Sequence, residues 1–199
     1  MKNLMFCPPA FLNKRRGFTL VEVLLSALIG SGLVGCLFYV LNSGNIINDL
    51  SSAKVLSQSE ARRASDWVTR DLRQAQLGNL APFASHTSIR FNPVLGVNTS
   101  DGTYILDYGV FIEFIYDESA HTFTRNLLDG AGGVSQSWVF DDVVEHPFFT
   151  RDGSGNLIDL DNSVLTTKNV VSVITVTKTS GKGVVVTTSL TAETKIRNE

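Results

Sequence analysis

Cysteine is nearly absent: the 199-residue sequence has two, Cys7 and Cys36. One lies in a basic N-terminal stretch and the other in an apolar run. Residues 42–199 therefore have no thiol from which to build a disulfide framework. That body has to rely on its own hydrophobic core, which about 150 residues can supply. Positive charge is also outnumbered by negative charge outside the start of the chain. Residues 1–17 carry Lys2, Lys14, Arg15 and Arg16 and no acid, so the net charge of −2 leaves the remainder at −6. An acidic body argues against a protein that grips a phosphate backbone, which needs a basic face, so no nucleic-acid partner is expected. The three histidines, His86, His121 and His146, show no metal-ligand spacing and have no cysteine nearby. No GxSxG, GxGxxG or P-loop occurs. The sequence predicts no catalytic residues, no metal and no cofactor.

Long apolar runs are limited to one. Phe18 to Leu41 contains no proline and a single carboxylate, Glu22. As a helix this run spans roughly 36 Å, more than the about 30 Å of a hydrocarbon core. Lys14, Arg15 and Arg16 stand directly before it. They predict a cytoplasmic N-terminus and an extracytoplasmic body. A secretory signal peptide has a shorter apolar core with small residues at its end. Here Leu37 to Leu41 continue past Gly30, Ser31, Gly32 and Gly35, which favours an anchor in membrane lipid.

Proline is missing again from Asn42 to Gln76, and Gly44 is the only glycine there. Ala61, Ala64, Val68, Leu72 and Ala75 recur every three or four residues and form one stripe, with Trp67 beside it. Arg62, Arg63, Asp66, Arg70, Asp71 and Arg73 are assigned to the other faces, with Arg62–Asp66 and Asp66–Arg70 as i,i+4 pairs. Gly78-Asn79, followed by Pro82, is the expected stop. One helix over about 18–77 follows, apolar in its first half and amphipathic in its second.

Beyond Pro82 the pattern becomes that of strands. Candidates are Ile89–Phe91, Thr103–Leu106, Val110–Tyr116, Thr122–Leu127, Trp138–Val144, Pro147–Thr150, Val170–Thr179 and Val184–Leu190. Asp117-Glu118-Ser119-Ala120 and Ser180-Gly181-Lys182-Gly183 read as hairpin turns, and Gly130 to Gly133 as a loop. The expected fold class is α+β: a long N-terminal helix packed on an antiparallel β-sheet. The organisation is residues 1–17 as a leader, 18–41 as a transmembrane helix, 42–78 as its amphipathic continuation and 79–199 as a β-rich extracytoplasmic region.

The segment Lys14-Arg15-Arg16-Gly17-Phe18-Thr19-Leu20-Val21-Glu22 resembles the prepilin cleavage and methylation signature of type IV pilin-like proteins. The signature consists of a basic leader ending in glycine, then phenylalanine, then glutamate as fifth residue of the mature chain, heading a long apolar helix. The resemblance implies cleavage between Gly17 and Phe18 by a prepilin peptidase, which also N-methylates Phe18. It further implies assembly with other pilin or pseudopilin subunits at an inner-membrane platform. A carboxylate inside a bilayer is costly unless paired. The resemblance supplies a partner for Glu22, the new α-amino group of a neighbouring subunit, which makes Glu22 a register residue. The run Arg62 to Ala75, containing RDLRQA, and the C-terminal hairpin ending in Lys195-Ile196-Arg197-Asn198 resemble minor pilins and J-type minor pseudopilins. The lack of a cysteine pair in the body and of proline in the anchor also favours a minor subunit.

Two patterns point elsewhere. Asp152-Gly153-Ser154-Gly155-Asn156, with Asp159 and Asp161, is similar to a calcium loop. Leu157 stands where the loop needs glycine and Ser163 where it needs glutamate, so a plain turn is expected. Asn98-Thr99-Ser100 fits a glycosylation sequon, which is common by chance. The competing reading of the whole chain is a membrane-anchored extracytoplasmic binding or enzyme domain with a fortuitous prepilin-like leader.

Overall fold

The computed structural model describes residues 18–76, 80, 84–100, 102–161 and 169–196. The chain divides into two units between Asn45 and Ile46. Helix α1 runs from Leu20 to Leu72. Up to Asn42 its residues are exposed, including Leu24, Leu28, Leu33, Leu37 and Phe38. By length and composition this helix can cross a membrane, and none of its most apolar stretch is buried.

In the second unit α1 buries one stripe: Ala53, Ser57, Ala61, Ala64, Val68 and Leu72. The spacing of three and four keeps these positions on one face. Ala61, Ala64, Val68, Leu72 and Ala75 are all fully buried, as the periodicity predicts. The helix stops earlier than expected. Gln74 and Ala75 donate to the carbonyls of Asp71 and Leu72 at 2.9 and 3.1 Å, tightening the last turn into i→i+3 bonds. The Gln74 carbonyl then accepts from the Val94 N–H at 3.0 Å. A strand has captured a group that another helical turn would have used. Gly78-Asn79 lies outside the described residues.

Ten strands follow among the described residues: β1 Ser88–Phe91, β2 Val94–Val97, β3 Tyr104–Leu106, β4 Val110–Asp117, β5 Thr122–Asp129, β6 Val134–Asp141, β7 Phe148–Arg151, β8 Leu157–Asp159, β9 Asn169–Thr179 and β10 Val185–Lys195. All pairings are antiparallel. The strands form three sheets, in the orders β1-β4-β5-β6, β10-β9-β7-β8 and β2-β3. The α+β class holds, and the strands are shared among sheets rather than laid in one. β2 and β8 are additions to the expected set, β10 is longer than its apolar pattern suggests, and β6 starts and ends earlier than the expected Trp138–Val144, because residues 142–144 leave it for the second sheet. The polar start of β6 is held by pairing with β5, with Ser137 donating to Asn126 Oδ1 at 2.8 Å.

The two four-stranded sheets meet at residues 142–144. Asp142 has φ of 63°, the left-handed region that Asp tolerates. Its carbonyl accepts from the Thr177 N–H at 2.9 Å, and the Val144 N–H donates to Thr175 at 3.0 Å. The chain thus leaves the edge of the first sheet and runs beside β9 of the second. The β9–β10 hairpin closes through Gly183, whose φ of +78° a side chain would strain.

The core between helix and sheets is aromatic. Phe114 stacks on Phe123 with centroids 5.6 Å apart, and Phe148 meets both edge-on at 6.3 and 5.8 Å. All three rings are fully buried. Asp71 is not on a solvated face as expected: it is 1% exposed and pairs with Arg125 of β5. Arg125 is itself clamped between Trp67 and Trp138, 4.4 and 4.7 Å from the ring centres. On the outer face Arg63 pairs with Glu60 at 3.6 Å, and the exposed Arg70 reaches the other oxygen of buried Asp71 at 3.2 Å. The expected Arg62–Asp66 and Asp66–Arg70 pairs do not form.

Candidate functional site: the helix start

Phe18 and Thr19 precede the helix in non-helical conformation, and Phe18 is 80% exposed. Thr19 caps the helix. Its hydroxyl accepts the Glu22 N–H at 3.3 Å and its carbonyl accepts the Val23 N–H at 3.2 Å. Glu22 is the third helical residue, where its charge favours the positive end of the helix dipole. The Glu22 carbonyl accepts from the Ser26 hydroxyl at 2.7 Å. Thr19-x-x-Glu22 has the spacing of a capping box, a signal present in the sequence that a reading centred on the cleavage motif passes over. Lys14, Arg15, Arg16 and Gly17 lie outside the described residues. Of the expected site residues, the structure describes Phe18 and Glu22, at the exposed head of the apolar helix.

Gly30, Gly32 and Gly35 lie within unbroken helix. A Cβ placed on any of them would meet nothing within 4 Å. Among the described residues nothing requires glycine at these three positions. Cys36 is a free thiol on the same exposed stretch.

The calcium-like segment is a turn between β7 and β8. The Asp152 carboxylate accepts from the Ser154 and Asn156 backbone N–H groups at 2.9 and 2.8 Å and from the Asn156 side chain at 3.1 Å. These bonds, the Asn156 side chain's first, hold its pKa below the usual carboxylate range. Asp117 does the same in the β4–β5 turn, where the Ser119 hydroxyl and the Ala120 N–H lower its pKa. The histidines are less scattered than the sequence suggests. His86 and His146 meet edge-on with ring centroids 5.2 Å apart, brought together by tertiary folding rather than by spacing.

No curated protein and no solved structure matches the chain. Residues 12–31 match the prokaryotic N-terminal methylation motif. This match covers the end of the basic stretch, Phe18, Glu22 and the first turns of the apolar helix, and supports a type IV pilin-like protein processed by prepilin peptidase.

Proposed function

We propose that the chain is a structural minor subunit of a type IV pilus or a type II secretion pseudopilus. Prepilin peptidase cleaves it between Gly17 and Phe18 and N-methylates Phe18. The subunit then joins other pilin or pseudopilin subunits at an inner-membrane platform, with its N-terminus cytoplasmic before assembly and its β-rich body outside. It works by packing and carries no catalytic residue. The observation that carries this reading is the methylation motif at residues 12–31 running directly into a helix whose apolar surface is exposed as far as Asn42. That surface costs too much in water to be a final state and is satisfied by lipid or by other helices. The glycines at 30, 32 and 35, which face open space, support close approach of a neighbouring helix.

Glu22 has two roles in this reading, as a helix-start residue of the single chain and as a charge partner between chains. Glu22→Gln keeps the capping-box residue type and removes the charge. The expected result is a variant cleaved to a methylated Phe18, as read by mass spectrometry, that is absent from sheared filaments. Incorporation of Glu22→Gln at the parental level would remove the register role. An intact Met1 in the parent protein would favour the anchored binding or enzyme domain instead.

A further inference from the structure

We propose that Thr19 is a positioning residue for the maturation cleavage: by capping α1 it holds the helix start beyond the Gly17–Phe18 bond and keeps that bond open to attack. This role rests on the proposed cut by prepilin peptidase at that bond. Phe18 and Thr19 stand between the bond and the first helical residue, Leu20. Phe18, on the leaving side of the bond, is 80% exposed. Independently of this geometry, the methylation motif covers residues 12–31 and so runs straight across the helix boundary.

Cleavage adds water across an amide. The water oxygen bonds to the Gly17 carbonyl carbon and the C–N bond breaks. The products are a Gly17 carboxylate and a Phe18 α-amino group, which takes the proton. A carbonyl within a helical ladder is a poor target, because it accepts the N–H of the residue four further on and its flanks are coiled. Where the ladder starts therefore decides whether the bond is open.

Thr19 sets that start with two bonds. Among the described residues the first carbonyl to accept a helical bond is its own, from the Val23 N–H at 3.2 Å. The Glu22 N–H would bond to the Phe18 carbonyl if the helix reached back further. The Thr19 hydroxyl takes that N–H instead, at 3.3 Å. Residues 10–17 contain no proline to stop a helix, and Gly17 and Asn13 are the next residues upstream able to cap one. A start at Asn13 would put the cations of Lys14, Arg15 and Arg16 in the first turn, against the helix dipole. The nearer competitor is a start capped by Gly17. There the first acceptor would be the Gly17 carbonyl itself, bonded to the Val21 N–H. Glycine caps better than alanine, so losing the Thr19 oxygen shifts the start toward the carbonyl that the peptidase must attack.

The test incubates full-length precursor in detergent micelles with purified prepilin peptidase and follows release of the Phe18 N-terminus by mass spectrometry. Thr19→Ala and the isosteric Thr19→Val should be cut about threefold or more slowly, in line with the loss of a cap. Thr19→Ser and Thr19→Asp, whose oxygens also cap, should be cut at the parental rate or faster. The ¹³Cα shifts of Gly17 and Phe18 report the helix start and should move to helical values in the slow variants alone. A parent that yields no Phe18 terminus would overturn both this role and the function it rests on. With the parent cut, three results would overturn the role of Thr19 alone: parental rates in Thr19→Ala and Thr19→Val, a slow Thr19→Asp, or slow cleavage with unchanged Gly17 and Phe18 shifts.

Discussion

Replacing Asp71 by alanine leaves the Arg125 guanidinium buried without its counter-charge. The two side chains are 2% and 7% exposed, so solvent cannot take over the lost partner. Breaking a buried pair of this kind costs about 3–5 kcal/mol. The faces of Trp67 and Trp138 remain, and cation–π contact of about 1–2 kcal/mol is retained in both forms. Arg70 also loses a partner, but its side chain is 59% exposed and contributes close to nothing. Against a total stability of about 5–15 kcal/mol, the loss is large. Asp71→Leu combined with Arg125→Met removes both charges and fills the space with apolar atoms, so it should lie within about 1 kcal/mol of the parent. The assay is denaturant unfolding of the full-length chain in detergent micelles, followed by tryptophan fluorescence. Trp67 and Trp138 are the only tryptophans, 4.9 Å apart, so the signal comes from the clamp itself. A single variant within about 1 kcal/mol of the parent would refute the reasoning, as would a double variant no better than the single.

The exposed glycines and the buried phenol give two further expectations. Alanine at Gly30, Gly32 and Gly35 should raise helix stability of the isolated chain by about 0.5–1 kcal/mol each, since the sites are sterically open, yet lower filament yield; circular dichroism and sheared-filament assays separate the two, and undiminished filaments would show that no neighbour needs the space. Burial first, then the charges of Glu118, Glu145 and Asp117, raises the pKa of Tyr116 in the folded chain. The stability it contributes is therefore fully present below the ordinary tyrosine pKa of about 10 and is lost as pH rises through its folded value. Absorbance titration of tyrosinate should show one late phase that disappears in Tyr116→Phe; its persistence would assign the late phase to another tyrosine.

Periodicity in the sequence reaches as far as elements that make their own pattern. The stripe from Ala61 to Ala75 is legible because one face of a helix repeats every three or four residues, and all five side chains are buried. The hairpin from Val110 to Asp129 is legible because short turns join alternating strands. The end of α1 is not, because it depends on Val94 reaching back to Gln74. β2 contains Gly96, and β8 hides in a segment whose carboxylates suggest an ion. The division into separate sheets depends on the β1–β4 and β7–β9 pairings, which no local signal announces. Asp71 is misplaced because a charge on a helix is usually solvated, and its partner stands 54 residues away. The methylation motif is legible in full from residue types and order, and the cap within it is written in the Thr19-x-x-Glu22 spacing that the Glu22 N–H to Thr19 hydroxyl bond bears out. The His86–His146 contact is assembled from distant segments and is invisible to any window.

The corner at Asp142 bears on how the body folds. The β4–β5–β6 meander and the β9–β10 hairpin each close over short loops, so both can form early at little entropic cost. Among the described residues backbone bridges join the two sheets at Ser85, which pairs with Asp161 beyond β8, and at residues 142–144, against β9. A left-handed residue at that point turns one strand into a seam. Opening the seam uncovers β9 around Val176 and frees the chain that leaves β6, so the two sheets are expected to be lost in one cooperative transition rather than peeled off in turn.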